Sequence, residues 1–195
     1  MKTLASLAFA ATLAVSAGSA GAVTNLLSDG DFESFDSMVA NGAYTKINAG
    51  SLGAWTVGGT SVDLIQNAYS AITNVSVDLA GSPGPGSLSQ SFMAVAGYVY
   101  TLTFDLANNG GTQFQVTFGG TTTSFVPSNP AVTHVLTWTA LAAGSQLVKF
   151  ESVAGGNSGP VLDNVILTAV PEPETYAMLL AGLAVVGFVA RRRKL

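Results

Sequence analysis

The chain has no cysteine in its 195 residues, so neither a disulfide nor a thiolate zinc site helps to hold it together. It is also poor in cations. Only seven Lys and Arg side chains face eleven Asp and Glu, and five of the seven lie at the ends: Lys2, Arg191, Arg192, Arg193 and Lys194. Residues 23–169 keep only Lys46 and Lys149 against nine acids. So acidic a stretch, without a Lys/Arg cluster, excludes a nucleic-acid surface, where neutralised phosphates supply most of the affinity. Helical periodicity is almost absent from this middle region. There is no Gly-x-Ser-x-Gly elbow and no glycine-rich phosphate cradle between a strand and a helix. The one histidine, His134, shares a strand face with Leu136 and Trp138 and has no Ser-Asp or metal-ligand pattern near it. It reads as structural, and no catalytic residue is expected.

The two ends read as addresses. "MKTLASLAFAATLAVSAGSAGAV" has a short positive region at Lys2, an apolar stretch from Leu4 to Val15, and small residues at Ala20 and Ala22. This pattern predicts a secretory signal peptide over residues 1–22. At the other end, "VPEPETYAMLLAGLAVVGFVARRRKL" brackets a glutamate with prolines, continues as an apolar run over residues 176–190, and closes on four cations. At ~1.5 Å per residue that run covers roughly 22 Å, short of a ~30 Å hydrocarbon core. With bilayer thinning and a snorkelling Arg191, it is expected to form a single transmembrane helix with its cationic end in the cytoplasm.

The sequence of Pro171-Glu172-Pro173, a short apolar helix and Arg191-Arg192-Arg193 resembles the PEP-CTERM sorting signal over residues 170–195. That signal marks exported proteins of Gram-negative bacteria. The resemblance implies the secretion machinery and an exosortase as partners, the latter a membrane-embedded cysteine protease or transpeptidase that processes the tail near Pro-Glu-Pro. The prolines stop helix propagation and hold the preceding chain extended.

Between the addresses lie short alternating runs separated by Gly, Ser, Asn and Pro. "VSVDL" sets Val75, Val77 and Leu79 on one face, and "YTLTFDLA" does the same for Leu102, Phe104 and Leu106. "QFQVTF", "VTHVLTWT", "QLVKFES" and "VLDNVIL" repeat the habit. Many short period-2 strands with turn signals predict one all-β sandwich domain over residues 23–169. "NLLSDGDFES", "AWTVGGTSVDLI", "SVDLAGSPGPGSLSQSF", "YTLTFDLANN" and "GPVLDNVIL" occur in an order that resembles the choice-of-anchor C family, which is related to a plant cell-wall domain family. The resemblance implies a galactose-binding-like jelly roll, the fold of many carbohydrate-binding modules.

Candidate sites follow from these readings. Sugar binding needs aromatic faces beside hydrogen-bonding groups, which nominates Tyr44, Trp55, Tyr69, Asn108 and Asn109; Trp55 reads equally well as core. By resemblance, a structural calcium would join Asp31 and Glu33 of "GDFE" to Asp163 of "LDN", and these acids serve equally well as turn caps. A glycosidase would need two converging carboxylates drawn from Asp63, Asp78 and Asp105. Asp78 and Asp105 face away from their strands' apolar residues and are expected to be solvated. The leading expectation is an exported, non-catalytic envelope or matrix protein that binds or organises polysaccharide. Its rivals are a carbohydrate-active hydrolase and a surface building block without a small ligand.

Overall fold

A computed structural model describes residues 24–111, 113–153 and 156–192. The expected signal peptide, residues 1–22, and Arg193 of the sorting motif lie outside the described residues.

Eleven strands occur among the described residues: β1 (Tyr44–Leu52), β2 (Trp55–Gln66), β3 (Val75–Asp78), β4 (Ala80–Gly81), β5 (Gly84–Ala94), β6 (Tyr98–Asn108), β7 (Phe114–Phe118), β8 (Thr121–Phe125), β9 (Val132–Thr139), β10 (Gly144–Ser152) and β11 (Pro160–Pro171). A 3-10 turn (Glu33–Met38) precedes them and helix α1 (Pro173–Arg192) follows. Alternation in sequence becomes burial in space. Tyr100, Leu102, Phe104 and Leu106 of β6 point inward, as do Phe114, Val116 and Phe118 of β7. Phe104 meets Phe150 of β10 at 5.4 Å and Phe114 at 5.8 Å between ring centroids, so the two layers close on an aromatic centre.

The layers are not separate sheets. Pairing runs continuously as β8-β7-β10-β5-β2-β3-β11-β6-β9, with β1 on β2 and β4 on β5. β2 makes the fold-over. Its first half, Thr56–Gly59, pairs with β5, and its second half, Asp63–Gln66, pairs with β3. At the bend the register with β1 jumps from Asn48↔Ser61 to Gly50↔Val57. Gly59 sits there at φ +70, with Pro85 O 2.8 Å from where a Cβ would stand. A left-handed residue pressed against another backbone has to be glycine.

The two ends of the path, β8 and β9, meet through side chains. Phe125 of β8 lies 4.7 Å from His134 of β9, and Phe118 of the adjoining β7 lies 6.0 Å from Trp138 of β9, between ring centroids. His134 therefore packs among aromatics, as the sequence suggested. Burial lowers its pKa, and Asp105 offsets part of that.

β11 continues through Pro171, so the last strand runs two residues beyond residue 169. Two sequence expectations change here. Among the described residues no helix is long and apolar enough to cross a membrane, so a membrane span through residues 176–190 is not supported. Its fifteen apolar residues cover only about 22 Å, and every residue from Tyr176 to Arg192 is exposed. Second, Asp78 is not solvated: all four residues of β3 are buried, with Ser76 on the strand's outer face taking the Ile72 N–H of the 67–74 loop and Asp78 covered by Asn109 and Gly159. Ala71 and Ile72 of that loop pack on Ile65, Ala107 and Val161 as a small second core.

Candidate functional site

On this outer face Asp63 of β2 stands directly opposite Asp78 of β3, and Lys46 of β1 stands opposite Asp63. Cross-strand neighbours of this kind hold their Cβ atoms about 4.5–5.5 Å apart. Asp63 is 5% exposed and Asp78 2%. They form part of a cleft of about 160 Å³ completed by Tyr44, Ile65, Tyr69, Ser82, Asn109, Asn157 and Ser158. Tyr44 and Tyr69 meet edge to face at 5.8 Å and 83°, and each stays about half exposed, at 48% and 47%.

Each wall is fixed by its own local chemistry. Tyr44 opens β1 opposite Ile65. Tyr69 rides on the 67–74 loop, which the Asn67 N–H closes onto Asn74 O at 3.1 Å. The Gln66 amide donates to Asp36 and to Asn74 Oδ1, and the Asn67 amide donates to Asn41 Oδ1. Asp63 accepts from the backbone and hydroxyl of Ser82. Asp78 accepts from Ala80 N at 2.8 Å, Asn109 Nδ2 at 2.9 Å and Gly159 N at 3.2 Å.

Burial raises the pKa of both carboxyls. The Ser82 donors and Lys46 temper the rise at Asp63. At Asp78 the bonds from Asn109, Ala80 and Gly159 oppose it, and the neighbouring Asp63 charge adds to it. The cleft thus offers carboxylate acceptors, an amide and two tyrosine rings, and among the described residues Lys46 is the cation that acts on the pair. It suits a neutral, hydroxyl-bearing ligand and repels an anion. Drug-sized ligands occupy pockets of ~300–1,000 Å³, so this one has room for no more than a single small unit.

The expected sugar-contact set divides. Tyr44, Tyr69 and Asn109 converge on the cleft. Asn108 lies beside it without lining it; its side chain accepts from Gly110 N and its carbonyl from Asn129 Nδ2. Trp55 leaves the set. It is 1% exposed, its indole N–H donates to Asp29 O at 3.0 Å, and its ring packs on Phe32 and Phe150, so no face remains for a ligand. Asp105 is partly exposed and accepts from Thr133 Oγ1 and Asn164 Nδ2, apart from the Asp63/Asp78 pair. Sequence reasoning named Asp63 and Asp78 as candidate carboxylates but expected Asp78 to be solvated; it is covered by Ala80, Asn109 and Gly159.

The proposed calcium ligands are split as well. Thr73 Oγ1 lies 2.6 Å from Asp163 Oδ2 and 3.0 Å from Glu33 Oε1, so it joins those two acids and donates to one at a time. Glu33 also accepts from Asn74 Nδ2 and Val75 N, and Asp163 from Ser76 Oγ, Thr73 N and Asn164 N. Burial pushes the Glu33 carboxyl up, but these donors outweigh it and the net shift is downward. At Asp163 burial wins, and the shift is upward. Asp31 instead lines a different cleft of about 430 Å³, with Asn25, Asp29, Gly30, Asn164 and Ile166. Among the described residues no three His, Cys, Asp or Glu side chains gather as a metal shell. Calcium needs six to eight oxygens. Glu33 and Asp163 face N–H and O–H donors instead, so the residues present do not fit the ion. The larger cleft has no aromatic face, and the Asn25 amide in it is spent on the backbone of Val165, Leu27 and Leu167.

Comparison with solved structures places the fold. The chain resembles the carbohydrate-binding module TmCBM61, solved in complex with β-1,4-galactotriose, at TM-score 0.53 and 17% identity, over 76% of this chain and 99% of that one. It also resembles the enzymatically active domain of bacteriophage CBA120 tailspike protein 4, at TM-score 0.50 and 15% identity, over 75% of this chain but only 21% of that one. At such identities the likeness establishes an all-β curled sheet of the carbohydrate-binding-module type and nothing finer. No curated protein matches the chain. A PEP-CTERM protein-sorting motif matches residues 169–194, which implies export and association with the envelope or surface. The profile described as Protein of unknown function (DUF642) matches residues 25–168, and the chain belongs to that family.

Proposed function

We propose that this is an exported, non-catalytic binding protein that holds one neutral sugar unit of an envelope or matrix polysaccharide in the Tyr44/Tyr69 cleft, after an exosortase has processed its tail. The observation that carries the reading is the pair of half-exposed tyrosine rings beside buried carboxylate and amide acceptors. The sorting motif and the carbohydrate-binding-module fold support it. The tyrosines would flank the sugar ring, Asp63 would accept its hydroxyl protons, and Asn109 would orient it from the rim. Asp78, saturated by three donors, would hold Asn109 and the 159 loop in place.

The test is retention of the purified chain on neutral and acidic polysaccharides, with Tyr44→Ala and Tyr69→Ala alongside. Each substitution removes an exposed ring and should weaken binding about tenfold without changing the fold. Retention that both variants leave intact rules out the cleft. No retention on any polysaccharide rules out binding and favours a purely structural surface role.

A second reading, a hydrolase, draws support from the adjacency of Asp63 and Asp78. Against it, glycosidase carboxyls flank the scissile bond, whereas these two lie side by side on one sheet and are occupied by backbone donors. Sugar release by the wild type that Asp63→Asn abolishes would establish it.

A further inference from the structure

The sorting motif begins inside the folded domain. Ala169, Val170 and Pro171 form the last three rungs of β11, paired with Tyr100, Val99 and Tyr98 of β6. The ladder extends one step further, because Glu172 N–H donates to Gly97 O at 3.0 Å. β6 is in turn held from its other side: Gly97 N donates to Ala140 O and Ala140 N donates to Tyr98 O. Helix α1 starts at the next residue, Pro173. Sheet and helix are therefore joined through Glu172 alone.

A peptide-cleaving enzyme takes its substrate as an extended strand, and neither side of this joint offers one. One side has to open. On the sheet side, opening means breaking ladder bonds next to Ala169, which packs on the core, and Leu167, which is fully buried in it. On the helix side, the residues from Tyr176 onward are exposed and lack any covering surface among the described residues. A helix end with no tertiary packing frays at little cost, whereas core-backed strands open at close to the global stability. Pro173 also contributes no N–H, so it has no amide bond to lose at the helix start.

We propose that the structure divides the sorting motif into a protected half and a cleavable half. Processing breaks a peptide bond on the C-terminal side of Glu172, within the frayed first turn of α1, and β11 through Pro171 stays in the mature domain. This rests on the reading that an exosortase processes the tail. The carbonyl carbon of the broken bond passes to the enzyme's thiol while the departing nitrogen takes the thiol proton. Water or an amine then releases the thioester and restores the thiol.

The experiment uses the full chain, produced in a host that carries an exosortase, with the C-terminus of the mature form read by intact mass. The expected last residue falls between Glu172 and Thr175. A last residue at or before Pro171 overturns the division of the motif and leaves the processing reading standing. A tail retained through Arg192 overturns both.

A second arm locks the sheet. Val99 and Val170 are directly opposed and point away from the core, so Val99→Cys with Val170→Cys places a bridgeable pair on adjacent strands. The native chain has no cysteine to compete. The locked protein should be processed at the same bond and to the same extent as wild type. Processing that stops in the locked form and returns on reduction would mean that β11 must peel away, against the proposal.

Discussion

Replacing Asp163 tests the hydrogen-bonded reading of the Glu33–Asp163 region directly. The side chain is 0% exposed and accepts four hydrogen bonds: Thr73 N at 3.2 Å, Thr73 Oγ1 at 2.6 Å, Ser76 Oγ at 2.8 Å and Asn164 N at 2.7 Å. In Asp163→Ala the Thr73 hydroxyl can turn to Glu33 or to Val75 O, and Ser76 Oγ keeps the N–H of Ile72. The backbone N–H groups of Thr73 and Asn164 have no such alternative. Two part-buried donors lose their acceptor, and the figure of about 1–3 kcal/mol for a fully buried one sets a gross loss of at most about 6 kcal/mol. Relief from holding a desolvated carboxylate returns part of this, leaving a net loss of about 3 kcal/mol. For a domain of this size that lowers Tm by roughly 6–12 °C. Asp163→Asn keeps one acceptor oxygen for Thr73 and Ser76 and strands only Asn164 N, so it should lose about 1–2 kcal/mol. The assay is urea and thermal unfolding in chelator and again with added calcium. Two results would refute the reasoning: both variants within about 0.5 kcal/mol of wild type, or a loss that appears only when calcium is present. The second would make Asp163 a metal ligand after all.

Stability should also rise on the acid side of neutrality. Asp63, Asp78 and Asp163 have pKa values raised above 3.8 in the folded state, so the native chain binds more protons than the unfolded one between 3.8 and those raised values. The stabilisation they give is complete below 3.8 and is lost as pH climbs through the folded pKa values, at up to about 1.4 kcal/mol per pH unit per proton. Glu33, lowered from 4.5, works the other way and withdraws its contribution as pH falls below 4.5; His134, lowered from 6.5, likewise costs stability as pH drops below 6.5. Urea unfolding across pH should therefore show wild type gaining more than Asp163→Asn as pH falls from neutrality toward 3.8, and equal gains would refute the assignment. Trp55→Ala should cost about 3–5 kcal/mol, as full-size aromatic truncations in cores do. Its effect on polysaccharide retention at a temperature where it stays folded should be nil, since its ring is buried against Phe32 and Phe150 and its N–H is taken by the Asp29 carbonyl.

The inward half of the fold was legible because period-2 patterning states it directly: Leu102, Phe104 and Leu106 alternate in the text and are buried in space. The outward half was not. Asp78 and Asp105 occupy identical positions in their local patterns, yet one is sealed and the other half open. The difference lies in what covers each, and the cover over Asp78 comes from Asn109 and Gly159, far away in sequence. Trp55 was ambiguous for the same reason, since its fate depends on Phe32 and Phe150 arriving from opposite ends of the chain. "GDFE" and "LDN" do approach each other, as their resemblance implied. Asp31 and Glu33, however, are two apart in an irregular segment where Phe32 is left-handed at φ 55, and their side chains go to different clefts.

The bend in β2 has a consequence for the order in which the chain can be completed. Its twelve residues serve both layers, yet neither layer closes without strands made much later: β10 must slide between β5 and β7, and β11 between β3 and β6. Such long-range insertions are slow and leave strand edges bare while they are awaited. A chain synthesised from its N-terminus therefore keeps the first gap open until Ser152 and the second until Pro171 is in place. Pro171 is also the first proline of the sorting motif, so the domain's last rung and the start of its address are one residue.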